Sequence, residues 1–182
     1  MKLNNLIFTA LAGFSIILTG CQNNDENEQH YDNKLFISAS NFTKEILFKA
    51  GDTNVETGLS VAIAKPEEHD IKVTMSPAPE LLSTYKLAYY DETAVLLSEE
   101  HYSMPETSTT IKSGSIVSPE LPIEFINTGE LDIKTTYVLP VTIKSVEGIG
   151  VLQSANTYYY VFRGASLINV VCNISRNRAY PD

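Results

Sequence analysis

The 182-residue chain has no tryptophan, only two cysteines and three histidines, and 13 lysines and arginines against 22 aspartates and glutamates. Each shortage removes a class of function. With a net charge of −9 and no run of lysine or arginine, the surface repels phosphate backbones, so nucleic acid is not an expected partner. The histidines have no familiar ligand spacing. His69 stands in "PEEHD", which reads as a solvated turn, His101 follows two glutamates, and His30 lies in a polar stretch. No metal or cofactor is expected. The chain also has no Gly-x-Ser-x-Gly elbow, no phosphate-binding glycine loop and no calcium loop of the Asp-x-Asp-x-Asp-Gly kind. Glycosidases pair two carboxyls about 5 to 10 Å apart, but among 22 acidic residues some pair always meets that distance. No catalytic residue is assigned, and an enzyme is not expected.

Long apolar runs are missing too. The greasiest stretch, "LIFTALAGFSIIL" from Leu6 to Leu18, follows a single charge at Lys2 and stops at Gly20. A spanning helix needs roughly 20 apolar residues, so this stretch is too short and has the form of a signal-peptide core. Core and cleavage region alone also fit a plain secretory signal. "Leu18-Thr19-Gly20-Cys21" resembles the lipobox of bacterial lipoproteins, which implies a signal peptide over residues 1–20, acyl chains such as palmitate on Cys21, and attachment to a membrane. One acyl chain binds marginally, at about 0.8 kcal/mol per buried CH₂, and two or three hold permanently. With Cys21 consumed, Cys172 in "LINVVCNIS" has no disulfide partner and is expected to pack as a small hydrophobe.

Residues 21–33, with "QNNDENEQHYDN", have no apolar periodicity and read as an acidic flexible tether with an r.m.s. span of roughly 20 Å. Gln22 is not the aspartate of inner-membrane retention. Asp25 and Glu26 resemble the surface-export cluster of Bacteroidetes lipoproteins, implying an exposed position on the outer membrane.

From Lys34 the chain turns to short runs of alternating character. "GLSVAIAK" sets Leu59, Val61 and Ile63 against Ser60, Ala62 and Ala64. "DIKVTMS", "LPIEF" and "YVLPVTIK" alternate in the same way, with glycine turns between runs ("KAGD", "KSGS", "NTGE", "EGIG"). Further strands are expected in "KLFIS", "KEILFKA", "TTIK", "TYYYVFR" and "SLINVVCNIS". About nine such strands predict an antiparallel two-sheet sandwich over residues 34–165, followed by a last strand and polar tail over residues 166–182. Pro122 and Pro140 fall on the polar phase of two strands, which places those strands at edges or bulges. "SPAPELLSTYKLAYY" breaks the period. Leu81 or Leu82, Tyr85, and Ala88 or Tyr89 form a helical stripe, with Ser76 as cap and Pro77 or Pro79 in the first turn. That helix is expected to close one end of the sandwich.

Tyrosine is the unusual stock, ten residues. Tyr85, Tyr89 and Tyr90 on the helix are candidate glycan contacts, while packing at the core or rim is the other reading. Alternation sends Tyr158 and Tyr160 to one face and Tyr159 to the other, so these three form no single platform.

The helix with "LLSTYKLAYY", then "AVLLSEEHYSM", "TTIKSGSIVSPELPIEF" and "TYVLPVTIKSVEGIGVLQSANTYYYVFR", resembles the N-terminal module of Bacteroidetes surface lipoproteins from glycan-utilisation loci, a family classed as a domain of unknown function. The resemblance covers about Lys34 to Arg163. It implies an all-β, immunoglobulin-like sandwich with one short helix, and it brings over no catalytic residue. It also implies a monomeric, lipid-anchored spacer or accessory in glycan capture, with an oligosaccharide or a glycan-utilisation complex as partner. A subunit of an adhesive or fimbria-like assembly and a direct carbohydrate-binding module are the alternatives.

Overall fold

A computed structural model describes residues 32–165; the leader, the tether as far as Tyr31, and the expected strand around Cys172 lie outside the described residues. The strands follow the alternation where one face meets the core. In β5 (Ile71–Pro77) Ile71, Val73 and Met75 are buried and Lys72 is exposed. In β9 (Leu121–Phe125) the leucine, isoleucine and phenylalanine are buried while Pro122 and Glu124 face out. Burying one face of each strand removes apolar area from water at roughly 25 cal/mol per Å².

The large sheet runs in the order β2 (Thr43–Phe48), β12 (Thr157–Gly164), β10 (Tyr137–Val146), β5 and β8 (Ser108–Ile111), with β6 (Val95–Leu96) beside one end of β10. Two three-stranded sheets complete the sandwich. One is β11 (Gly150–Val151), β1 (Lys34–Ile37) and β4 (Val61–Ile63); the other is β3 (Val55–Leu59), β9 and β7 (Tyr102–Ser103). All three contribute to one core. Leu35 of β1, Leu59 of β3, Ile63 of β4 and Phe125 of β9 join Phe48, Met75, Val141 and Phe162 of the large sheet in it. The second layer is split because "GLSVAIAK" is two strands rather than one: the chain breaks at Ser60, so β3 pairs with β9 and β4 with β1. Ala62, expected outside, is also buried.

Most pairings are antiparallel, but β2 lies parallel to β12, β1 to β11, and β6 to β10. The chain crosses from the small sheet to the large one between β1 and β2, so the second strand meets the last of the described strands.

Pro140 does not lie on an edge strand. It sits in β10, between β12 and β5, and the strand's bulge falls later, between Ile143 and Ser145. The missing N–H is tolerated because β5 ends at this point. Val141 pairs with Pro77, and beyond it the Ala78 N–H donates to the Pro140 carbonyl at 2.9 Å. Pro122 does meet the edge expectation, since β7 pairs only with Glu124 and Phe125 and leaves that end of β9 with β3 alone.

The helix also differs from expectation in where it lies. A 3-10 turn (Pro79–Leu81) leads into α1 (Leu82–Tyr89), with Ala78 rather than Ser76 at the start of the turn and no side-chain cap. Rather than closing an end of the sandwich, α1 covers the outer face of the large sheet. Tyr85, with Leu81 and Leu82, packs on Val138 of β10 and on Tyr159 and Val161 of β12. Those three residues occupy the phase that alternation would leave to solvent, and their apolar surface is what the helix buries.

Tyr90 ends α1 in the left-handed region, at φ 55°, its N–H donating to the Lys86 carbonyl. Glycine usually fills this position, because a Cβ there costs roughly 1–2 kcal/mol. Tyr90 is 93% exposed and has little packing to lose. Tyr90→Gly should therefore stabilise the domain by about 0.5–1 kcal/mol in urea denaturation, net of the added freedom of the unfolded chain. A loss of stability would mean that the tyrosine makes contacts that outweigh its backbone strain.

Asn33, assigned to the tether, is bound: its side-chain oxygen accepts from the Ala64 and Lys65 N–H groups, and its amide donates to the Lys65 carbonyl and to Glu67.

Candidate functional site

The three helix tyrosines have different environments. Tyr85 is 2% exposed, Tyr89 42% and Tyr90 93%. Tyr85 and Tyr89 are one helical turn apart and stack, with ring centroids 4.8 Å apart and planes 30° apart. Tyr159 comes up from β12 to meet both, at 5.3 Å from Tyr85 and 6.0 Å from Tyr89. Tyr90 is turned away from this cluster by its left-handed backbone. The structure thus joins Tyr85 and Tyr89, adds Tyr159 to them, and leaves Tyr90 apart.

Beside the cluster is an open cleft of about 480 Å³ between α1 and the outer face of the large sheet. Phe42, Tyr89 and Tyr159 give it an aromatic wall; Thr142, Gln153 and Asn156 give it a polar floor. Phe42 is half exposed. The floor is held in place locally: Thr142 Oγ1 donates to the Asn156 carbonyl at 2.9 Å, and the Asn156 amide donates to Gln153 Oε1 at 3.2 Å.

On the other side of Tyr89 is a smaller depression of about 160 Å³, bounded by Thr43, Glu45, Tyr85, Val161 and Arg163. Here Arg163 Nε lies 3.5 Å from Glu45 and an Nη 3.7 Å from Asp91. Burial pushes the Tyr85 hydroxyl above its ordinary pKa, with the neighbouring Arg163 pulling the other way.

Sequence reasoning missed Gln153 and Asn156, which arrive on a short 3-10 turn between β11 and β12, and Phe42, which stands just before β2. A signal for the site was present in "TYYYVF". Both phases of that run are apolar, so both faces of β12 need cover. Cys21 lies outside the described residues. His69 is in an exposed turn, as expected, and His101 is partly buried with Nδ1 3.3 Å from the Ile126 carbonyl. Among the described residues no three His, Cys, Asp or Glu side chains are placed to hold a metal ion.

Burial also raises the pKa of Tyr102, Tyr158, Tyr159 and, most strongly, Tyr160. The Tyr160 hydroxyl is buried with no hydrogen-bond partner. The fold therefore favours neutral tyrosines. Their contribution is complete below the ordinary value of about 10 and is lost as pH rises through their folded values. Urea midpoints should be flat to about pH 9 and fall steeply above pH 10. In that window Tyr160→Phe should make the fall shallower by about 1.4 kcal/mol per pH unit, at little cost near neutrality. The same slope in both proteins would contradict this.

A family model described as a "-like, N-terminal domain" matches residues 31–150. The chain belongs to that N-terminal-domain family. The resemblance to N-terminal modules read from the sequence is thereby met, and several similar solved structures come from Bacteroides. A Bacteroides ovatus protein described as a "putative carbohydrate binding protein" is 18% identical, with a TM-score of 0.64 over 71% of this chain and 36% of that one. The Bacteroides thetaiotaomicron protein EndoBT-3987, solved with a Man5GlcNAc product, is also 18% identical, with a TM-score of 0.60 over 71% of this chain and 30% of that one. An auxiliary nutrient-binding protein of the same species is 15% identical, with a TM-score of 0.51 over 71% and 46%. At these identities the likeness is one of fold. The chain spans less than half the length of each of these structures. No curated protein matches it.

Proposed function

We propose that this N-terminal-domain family member is a non-catalytic accessory module in glycan capture, held at the outer membrane by lipid on Cys21 and displayed on the cell surface. The observation that carries the glycan part is the cleft beside Tyr89, an open surface with an aromatic wall and an amide floor. It offers shape and hydrogen bonds, and no paired catalytic groups have been assigned to it. Support also comes from the company the fold keeps, Bacteroides proteins described as a "putative carbohydrate binding protein" and an "auxiliary nutrient binding protein". The lipobox and the acidic stretch after it support the anchoring.

Fractionation of cells expressing the wild-type chain and Cys21→Ala tests the anchor, and protease treatment of intact cells tests the display. The wild type should pellet with membranes and be digested from outside. Membrane retention of the variant would overturn the anchor, and full protection of the wild type would place the protein on the inner side.

A further inference from the structure

The two depressions flanking Tyr89 follow the same strand. Thr157 and Tyr159 line the larger one, Val161 and Arg163 the smaller. These four alternate along β12 and share its outer face. The parallel register sets Thr43 of β2 beside Tyr159 and Glu45 beside Val161, so the neighbouring strand continues the same surface. Over this run β12 is about 20 Å long.

Because α1 buries Tyr159 and Val161, the open path between the two parts runs beside β12, over Phe42, Thr43 and Glu45, and we infer that it is one groove for an uncharged oligosaccharide with Tyr89 as the wall common to both parts. This inference rests on the glycan-capture reading and names its ligand and site. The larger part, at about 480 Å³, falls within the roughly 300–1,000 Å³ of small-ligand sites, whereas the smaller, at about 160 Å³, is below it. The smaller part therefore extends a ligand seated in the larger one.

The chemistry of the walls selects a sugar. An aromatic ring presents an apolar face to the C–H side of a pyranose, and the stack on Tyr85 sets the Tyr89 ring in advance, which lowers the ordering cost of binding. Gln153 and Asn156 each carry a donor and an acceptor, as a ring of hydroxyls requires. Electrostatics select the neutral class. The groove's cation, Arg163, already faces two carboxylates, Glu45 and Asp91, and Glu80 lines the larger part. A uronate or sulfated chain would meet net negative charge.

The test is calorimetric titration of the detergent-solubilised full chain with neutral hexasaccharides (malto-, cello-, xylo-, laminari- and α-manno-), the corresponding disaccharides, and hexagalacturonate. At least one neutral hexasaccharide should bind, and more tightly than its disaccharide. Tyr89→Ala should weaken it tenfold or more, equivalent to about 1.4 kcal/mol. Tyr89→Phe should retain binding, and Tyr90→Gly should leave it unchanged. Glu45→Ala should weaken the hexasaccharide and spare the disaccharide. If Tyr89→Ala fails to fold, Gln153→Ala, on a surface turn, should still weaken binding several-fold. Flat isotherms across all five neutral backbones would overturn the inference, while the anchoring result would stand or fall separately by fractionation. Preference for hexagalacturonate would overturn the neutral class, and equal affinity for di- and hexasaccharide the two-part groove.

Discussion

Replacing Cys21 by alanine should move the protein from the membrane fraction to the soluble one, with no intermediate state. The contrast is large because lipid anchoring is cumulative. Each buried CH₂ is worth about 0.8 kcal/mol, so two or three chains give attachment that outlasts any fractionation. Opposing terms are small: repulsion between acidic residues and anionic headgroups is about 1 kcal/mol per charge and fades within a Debye length. Among the described residues no helix is long and apolar enough to cross a membrane. Unchanged sedimentation of the variant with membranes would defeat the anchoring proposal, and the sandwich itself should remain folded in the released form.

Phe125→Ala should cost about 4 kcal/mol, a large share of the roughly 5–15 kcal/mol that holds a domain of this size. Phe125 is the point where β9 meets the large sheet. Its ring lies 4.6 Å from that of Phe162 and 5.2 Å from that of Tyr160, both edge-on. Truncation removes the apolar contact and both aromatic pairs, each worth about 0.5–1.5 kcal/mol beyond its area, and leaves a cavity between rigid strands. Phe42→Ala, at a half-exposed site, should cost under about 1 kcal/mol and serves as the control. Equal urea midpoints for the two variants would show that the layers are not joined at Phe125.

The sequence was most legible where a strand has one dry face and one wet one. "LPIEF" and "DIKVTMS" could be assigned residue by residue, because burial in a half-exposed strand follows the two-residue period. Legibility failed where both faces are covered. Val138 shares the polar phase of Pro140, and Tyr159 and Val161 lie on the face opposite Tyr158 and Tyr160; only the helix packed over them explains their chemistry. For the same reason the helix could be found from its stripe but not placed. Pro140 misled by a different route: a missing N–H signals an edge only if a partner strand runs past it, and here β5 ends first. The cleft was half legible. Tyr89 was named from its spacing, whereas Gln153, Asn156 and Phe42 come from segments with no period, brought together only by the register of β2 and β12.

The parallel pairing of β2 with β12 has a mechanical consequence. A load applied between the start of β2 and the end of β12 would pull the two strands along each other in opposite senses. Their register, Thr43 with Tyr159 through Phe48 with Gly164, would put the bonds of that ladder in shear together rather than peel them one at a time. A pull between those two points would be resisted by the pair as a unit.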